Sequence, residues 1–140
     1  MRTTDASNCF CHGTLYSYND VVAYYSDERL KTKTGKIENA LEKVCSLEAF
    51  TYTHNDLAVS LGYDNNKESQ IGLSAQEVQK IAPELVTLAG FDVVTDEEGN
   101  KYSKSGENYL TIKYDRLVPL LIEAIKEQQK QIDELKSLLK

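Results

Sequence analysis

Several common functions are excluded by what this sequence lacks. Its 16 Lys and Arg are outnumbered by 22 Asp and Glu, for a formal charge of -6, and they form no cluster able to neutralise a phosphate backbone. Nucleic acid is therefore not the expected partner, and the acidic excess serves solubility. No apolar run approaches the roughly 20 residues needed to span a bilayer, and the N-terminus lacks the apolar middle of a signal peptide. No membrane partner is expected, and the domain is read as soluble and intracellular when made. Cysteines are few and odd in number: Cys9, Cys11 and Cys45 have no framework spacing, which fits a reducing compartment. Cys9-Phe10-Cys11-His12 has no second ligand pair at zinc-type spacing, and the only other histidine is His54. It reads as unrelated side chains, so neither a metal nor another cofactor is expected.

A chain of 140 residues with 41% hydrophobic content is long enough for one modest core and short for two. Residues 1–25 run from small polar residues into Tyr16, Tyr18, Val21, Val22, Tyr24 and Tyr25 with no helical periodicity. They read as loop and short strand, the tail of something larger. After the polar break 32–36, apolar residues at Ile37, Ala40, Leu41, Val44 and Leu47 predict an amphipathic helix over about 37–47. A strand is expected over 49–53 and a long loop over 55–68, with one helical turn near 57–61. Ser74-Ala75-Gln76-Glu77 has the form of a capping box, so Ser74 reads as a cap and not a nucleophile. The helix it opens is limited by Pro83. Residues 85–94 read as a strand or buried connection, 96–100 as a turn, 101–108 as a polar loop or hairpin arm, and 109–114 as a strand. Asp115 is expected to cap the final helix, with Pro119 tolerated in its first turn.

That final helix has the most regular pattern in the chain. Val118, Leu121, Ile125, Gln128, Ile132, Leu135 and Leu139 follow alternating three- and four-residue steps, a heptad seam with Glu, Lys and Gln outside it. Leu120, Ile122 and Leu138 widen the face. An isolated helix buries nothing along such a stripe, so self-association is expected, as a dimer or a trimer. The fold class is α+β: short strands and hairpins, amphipathic helices, and a long C-terminal helix suited to a bundle or coiled coil.

Ser26 and Lys31 supply a hydroxyl nucleophile and an amine base within Ser26-Asp27-Glu28-Arg29-Leu30-Lys31. Five residues turn about 140° around a helix and end on the opposite side of a strand. The two side chains can meet only on a bend. A lysine acts as a base only when neutral, through burial or neighbouring positive charge, which Arg29 and Lys33 could supply. The oxyanion donors stay open among His54, Asn39 and backbone amides.

Four ordered blocks carry a resemblance. They are Ser26 to Lys31 with Ile37-Glu38-Asn39-Ala40-Leu41, then Gly72-Leu73-Ser74-Ala75-Gln76-Glu77-Val78, then Pro83-Glu84-Leu85-Val86, and last the run from Tyr114-Asp115-Arg116-Leu117-Val118-Pro119 to Lys126. Together they resemble the intramolecular chaperone of endosialidase, the peptidase S74 family at the C-termini of bacteriophage tail spikes and tail fibres. The departures are 55–68 and 89–108, longer than in many members. The resemblance implies a module that trimerises, helps the upstream fibre fold, and cuts itself off. Carried over, Ser26 is the nucleophile, Lys31 its base, and Tyr25-Ser26 the scissile bond. Residues 1–25 are then the fibre stub and 26–140 the released domain, made in the host cytoplasm while the upstream part joins the virion tail. Trimer assembly through the terminal helix is expected to set the dyad geometry. The alternatives are a non-cleaving trimerisation cap that stays attached and an unrelated coiled-coil interaction protein.

Overall fold

Four two-stranded antiparallel ribbons and four α-helices make up most of the regular structure in the computed structural model, which describes residues 2–3, 9–11, 13–23 and 25–140. Contacts divide the chain into two units, 1–36 and 37–140.

In the first unit, β1 (Arg2–Thr3) pairs with β2 (Cys9–Phe10), Arg2 opposite Phe10. The strand texture of 21–25 does not become a strand at the described positions: Val21, Val22 and Tyr25 are exposed and in no ladder. β-Branched and aromatic residues favour strands by packing on neighbouring strands, and among the described residues no strand pairs with 21–23 or Tyr25. Tyr24 and His12 lie outside the described residues. Farther along, a single 3-10 turn (Glu28–Leu30) bends the chain between extended residues Asp27 and Lys31.

The second unit begins with α1 (Ala40–Cys45), which starts three residues later than its apolar pattern implies. Asn39 sits at φ 53°, ψ 37°, in the left-handed region, and its side chain caps nothing; Ile37 is left exposed before it. β3 (Ala49–Tyr52) pairs with β4 (Gln70–Leu73), Ala49 opposite Leu73. Between them lies α2 (Asp56–Ser60), where Asn55 Oδ1 accepts from the Ala58 amide at 2.9 Å. α3 (Ala75–Ile81) starts where Ser74 Oγ accepts from the Glu77 amide at 3.4 Å. Pro83 ends it and opens a 3-10 turn (Pro83–Leu85).

β5 (Val86–Leu88) pairs with β8 (Leu110–Ile112), enclosing the hairpin of β6 (Val93–Thr95) and β7 (Lys101–Ser103). Asp92, only 2% exposed, ties that hairpin to β8. Its carboxylate accepts from Ser103 Oγ at 2.7 Å, the Ser105 amide at 2.7 Å and the Tyr109 amide at 3.1 Å. Burial pushes this carboxyl up, but the bonds from Ser103, Ser105 and Tyr109 together bring it from an ordinary 3.8 down to about 2.

Then a 3-10 turn (Tyr114–Arg116) leads into α4 (Leu117–Leu138). Asp115 therefore does not cap it: the N-cap is Arg116, without a side-chain cap bond, because the chain is already turning helically at Tyr114. Pro119 stands in the first turn, where its missing N–H costs no intrahelical bond.

The core is small and built where α1, α3, the β5–β8 ribbon and α4 meet. Ala40, Val78, Ala82, Leu85, Ile112, Leu120 and Ala124 are buried, with Leu41, Val44, Leu73, Val86 and Leu117 packed around them. Alanine at Ala40 and Ala124 lets α1 lie close to α4. Glu127, one turn beyond Ala124, points its carboxylate at the start of α1 and accepts from the amides of Ala40 (3.0 Å) and Leu41 (2.9 Å). A helix start leaves such amides without intrahelical partners and carries partial positive charge. A carboxylate satisfies both needs. Outside this core, a run of ring contacts from Phe50 through Tyr52, His54, Tyr63 and Phe91 to Tyr109, with centroids 5.2–6.3 Å apart, links β3 to the residues around the Asp92 turn and β8.

Candidate functional site

The 3-10 turn at Glu28–Leu30 is built from its own few residues. Asp27 sits at its start with φ -65° and ψ 125°, and its Oδ1 accepts from the Arg29 amide at 2.9 Å. The Asp27 carbonyl accepts from the Leu30 amide at 3.2 Å and that of Glu28 from the Lys31 amide at 3.1 Å. The Arg29 side chain folds back on the same carboxylate, Nη2 to Oδ2 at 2.7 Å and Nε to both oxygens at 3.1 and 3.2 Å. Lys33 Nζ binds Glu28 Oε1 at 2.9 Å.

Within this bend Lys31 Nζ lies 2.8 Å from Ser26 Oγ. The five-residue spacing that separates the pair in a helix or a strand is closed by one 3-10 turn between extended residues. Contact between them exists in the single chain, without the trimer that was expected to create it. A second expectation changes as well. The positive charges of Arg29 and Lys33 are each matched by a carboxylate, so neither is an unpaired cation beside Lys31. The Asp27 carboxyl is held below its usual range, first by the Arg29 side-chain bond, then by the Arg29 amide and by the charge of Lys31, against an opposing desolvation effect. Arg29 is held correspondingly high by Asp27. Ser26, Lys31 and Tyr25 are all exposed.

The heptad residues fall on a part of α4 that the domain does not cover. Val118, Leu121, Ile125, Ile132, Leu135 and Leu139 are exposed large hydrophobics, and Gln128 is exposed between them. Leu139 lies one residue past the helix end. Leu120, expected to widen the seam, is instead in the core at 5% exposure, because it shares the inward face with Leu117, Ala124 and Glu127. Ile122 and Leu138 remain exposed. From Gln128 onward every residue is exposed, and none of the buried core residues lies in the second half of α4.

His54 and Asn39 belong to the second unit. His54 Nδ1 is 3.0 Å from the Asp64 carbonyl, and its ring lies between Tyr52 and Tyr63. Cys11 and Cys45 are free thiols. No cluster of three or more His, Cys, Asp or Glu among the described residues could hold a metal, and none of the described helices is long and apolar enough to cross a membrane.

Two residues that organise the structure escaped the sequence reading. Glu127 had a signal: it continues the Leu117, Leu120, Ala124 face and so points inward. Asp92 also had one, an acid between Phe91 and Val93 in an otherwise apolar stretch.

The chain that carries this bend in its first unit, and a helix with exposed apolar residues in its second, matches a known family. Residues 26–87 fit the family model described as chaperone of endosialidase, peptidase S74. This match, with the tail fibre relatives below, supports that family for the chain. The match begins at Ser26 and stops just before the long 89–108 stretch. The chain is 36% identical over 131 residues to the long tail fiber protein Gp37 of Enterobacteria phage M1, covering 89% of this chain and 45% of that protein. It is 35% identical over 134 residues to Gp37 of phage K3, covering 93% of this chain and 10% of that protein. It is also 31% identical over 130 residues to the myelin gene regulatory factor-like A protein of Dictyostelium discoideum, covering 89% of this chain and 13% of that protein. The chain thus spans less than half the length of these relatives.

Proposed function

We propose that this chain is the assembly and release domain of a bacteriophage tail fibre: it trimerises through the α4 seam, brings the upstream fibre strands into register, and then cuts the Tyr25-Ser26 bond. The observation that carries the reading is the 2.8 Å contact between Lys31 Nζ and Ser26 Oγ, at the point where the family match begins. The Gp37 relatives support the fibre context, and a match covering 93% of the chain extends upstream of Ser26 into the proposed stub.

In the reaction, neutral Lys31 takes the proton from the Ser26 hydroxyl, and Oγ attacks the Tyr25 carbonyl carbon. The C–N bond breaks, and Lys31 returns its proton to the departing Ser26 nitrogen. Water then hydrolyses the ester, leaving a Tyr25 carboxylate and restoring the Ser26 hydroxyl. The same transfers serve attack within one chain or on a neighbouring one. Domain 26–140 leaves in the host cytoplasm, and residues 1–25 stay with the fibre on the virion tail. Exposed Val118, Leu121, Ile125, Gln128, Ile132, Leu135 and Leu139 form the trimer contact.

A second reading, a trimerisation cap that never cleaves, draws on the exposure of Lys31: a solvated amine keeps its proton more readily than a buried one. Mass spectrometry of the expressed chain separates the two. A fragment starting at Ser26 in the wild type, absent in Ser26→Ala and Lys31→Arg, establishes the peptidase; intact chains in all three establish the cap. Sedimentation of the Ser26→Ala chain as a monomer would exclude both.

A further inference from the structure

We infer that Asp27 is the positioning residue of the Ser26–Lys31 pair, and that it assembles the pair within the single chain before subunits associate. The inference rests on the dyad reading above. Among the described residues, each hydrogen bond that shapes the bend begins and ends within 26–33. Asp27 accepts from the Arg29 amide and so starts the 3-10 turn that swings Lys31 back over Ser26. The same carboxylate grips the Arg29 guanidinium at both Nε and Nη2, which ties the turn together and pairs that cation. Asp27 does not touch the Tyr25-Ser26 bond or take a proton. It acts through the turn.

The charged groups around the bend are Asp27, Glu28, Arg29 and Lys33, joined in two pairs. Geometry is therefore complete in one chain, while Lys31 stays exposed. What association would add is cover over the amine, because burial is the remaining way to favour its neutral form. Assembly would switch the pair on by excluding water, not by bringing its members together.

Two substitutions divide the roles of Asp27. Asp27→Ala removes both the cap and the grip on Arg29. Asp27→Asn keeps an oxygen for the Arg29 amide but removes the negative charge that interacts with Lys31, which favours the neutral amine. Cleavage rates of the full chain are followed by mass spectrometry from about pH 6 to about pH 11, a range that brackets the approach to an ordinary lysine pKa near 10.4. Sedimentation establishes equal assembly of the variants. Asp27→Ala is expected to slow cleavage about 100-fold at every pH, the order that a misplacement of about 1 Å can cause. Asp27→Asn is expected to recover most of the rate, with the rising limb moved to lower pH.

Wild-type rates in Asp27→Ala, or equal losses in both variants with no movement of the pH profile, overturn the inference. A wild-type chain that stays intact like Ser26→Ala brings down the dyad reading itself, which is a separate result. One measurement needs no cleavage. In a Ser26→Ala chain made monomeric by Ile125→Asp and Ile132→Asp, NMR relaxation should show 27–31 as ordered as α1, and disorder there would mean that association, not Asp27, builds the turn.

Discussion

Two helical starts in this chain are capped by carboxylates, one from next door and one from far away. The turn at Glu28–Leu30 is capped by Asp27, two residues from the amide it receives. α1 is capped by Glu127, 87 and 86 residues from the amides of Ala40 and Leu41. Identical chemistry therefore gives two kinds of dependence. The first turn needs only its own short segment. The second exists only when α4 is folded and laid along α1. A feature that forms independently of the rest of the chain fits the first kind, and structure that reports completion of the domain fits the second.

This contrast can be broken from its long-range side with the largest effect. Leu120→Ala removes the larger of the two buried α4 side chains and is expected to cost about 2–5 kcal/mol in chemical denaturation. Glu127→Ala leaves two amides at the α1 start without their acceptor. It is expected to cost about 1–3 kcal/mol, and hydrogen exchange at Ala40 and Leu41 should quicken while the Arg29 amide does not change. An unchanged Ala40 would mean that solvent or another group caps α1 equally well.

Asp92 gives a pH-dependent version of the same test. Its folded-state value near 2 lies below its ordinary 3.8, so its contribution is present above the ordinary value and is lost as pH falls towards 2. Acid should loosen the β6–β7 hairpin, read by exchange at the Ser105 and Tyr109 amides, and Asp92→Asn should remove that pH dependence. The smallest effect is expected from the local side: Asp27→Ala should leave the denaturation midpoint unchanged, since its bonds are exposed and confined to the first unit. A clear drop in that midpoint would show that the bend also supports the second unit and would collapse the contrast.

The parts of this fold that were legible in the sequence are those whose causes lie close together. Ser74 and Pro83 bracket α3 because capping and proline act over three or four residues. The need for a bend between Ser26 and Lys31 followed from periodicity alone. The heptad pattern was readable for the same reason, and its apolar residues are exposed on α4 and at its end. What escaped were effects of distant residues. α1 begins at Ala40, not near Ile37, because Asn39 adopts a left-handed conformation and Glu127 receives the next amides. Leu120 looked like seam and proved to be core, since a stripe at heptad spacing and a stripe facing a small domain can share a helix about a quarter turn apart. Arg29 and Lys33 were read as free positive charge, whereas the folded bend pairs both.

The Glu127 cap also has a meaning in time. A chain is made from its N-terminus, and the residues of the Ser26–Lys31 bend emerge together and can turn at once. α1 emerges soon after, yet its first amides must wait for a carboxylate translated long behind them. A ribosome that stalls or a message that breaks before Glu127 therefore yields a chain with the Ser26–Lys31 bend and an unfinished core. Such a chain also lacks most of the seam. Synthesis order separates the Ser26–Lys31 contact from the Glu127 cap, and only a product translated through α4 has both.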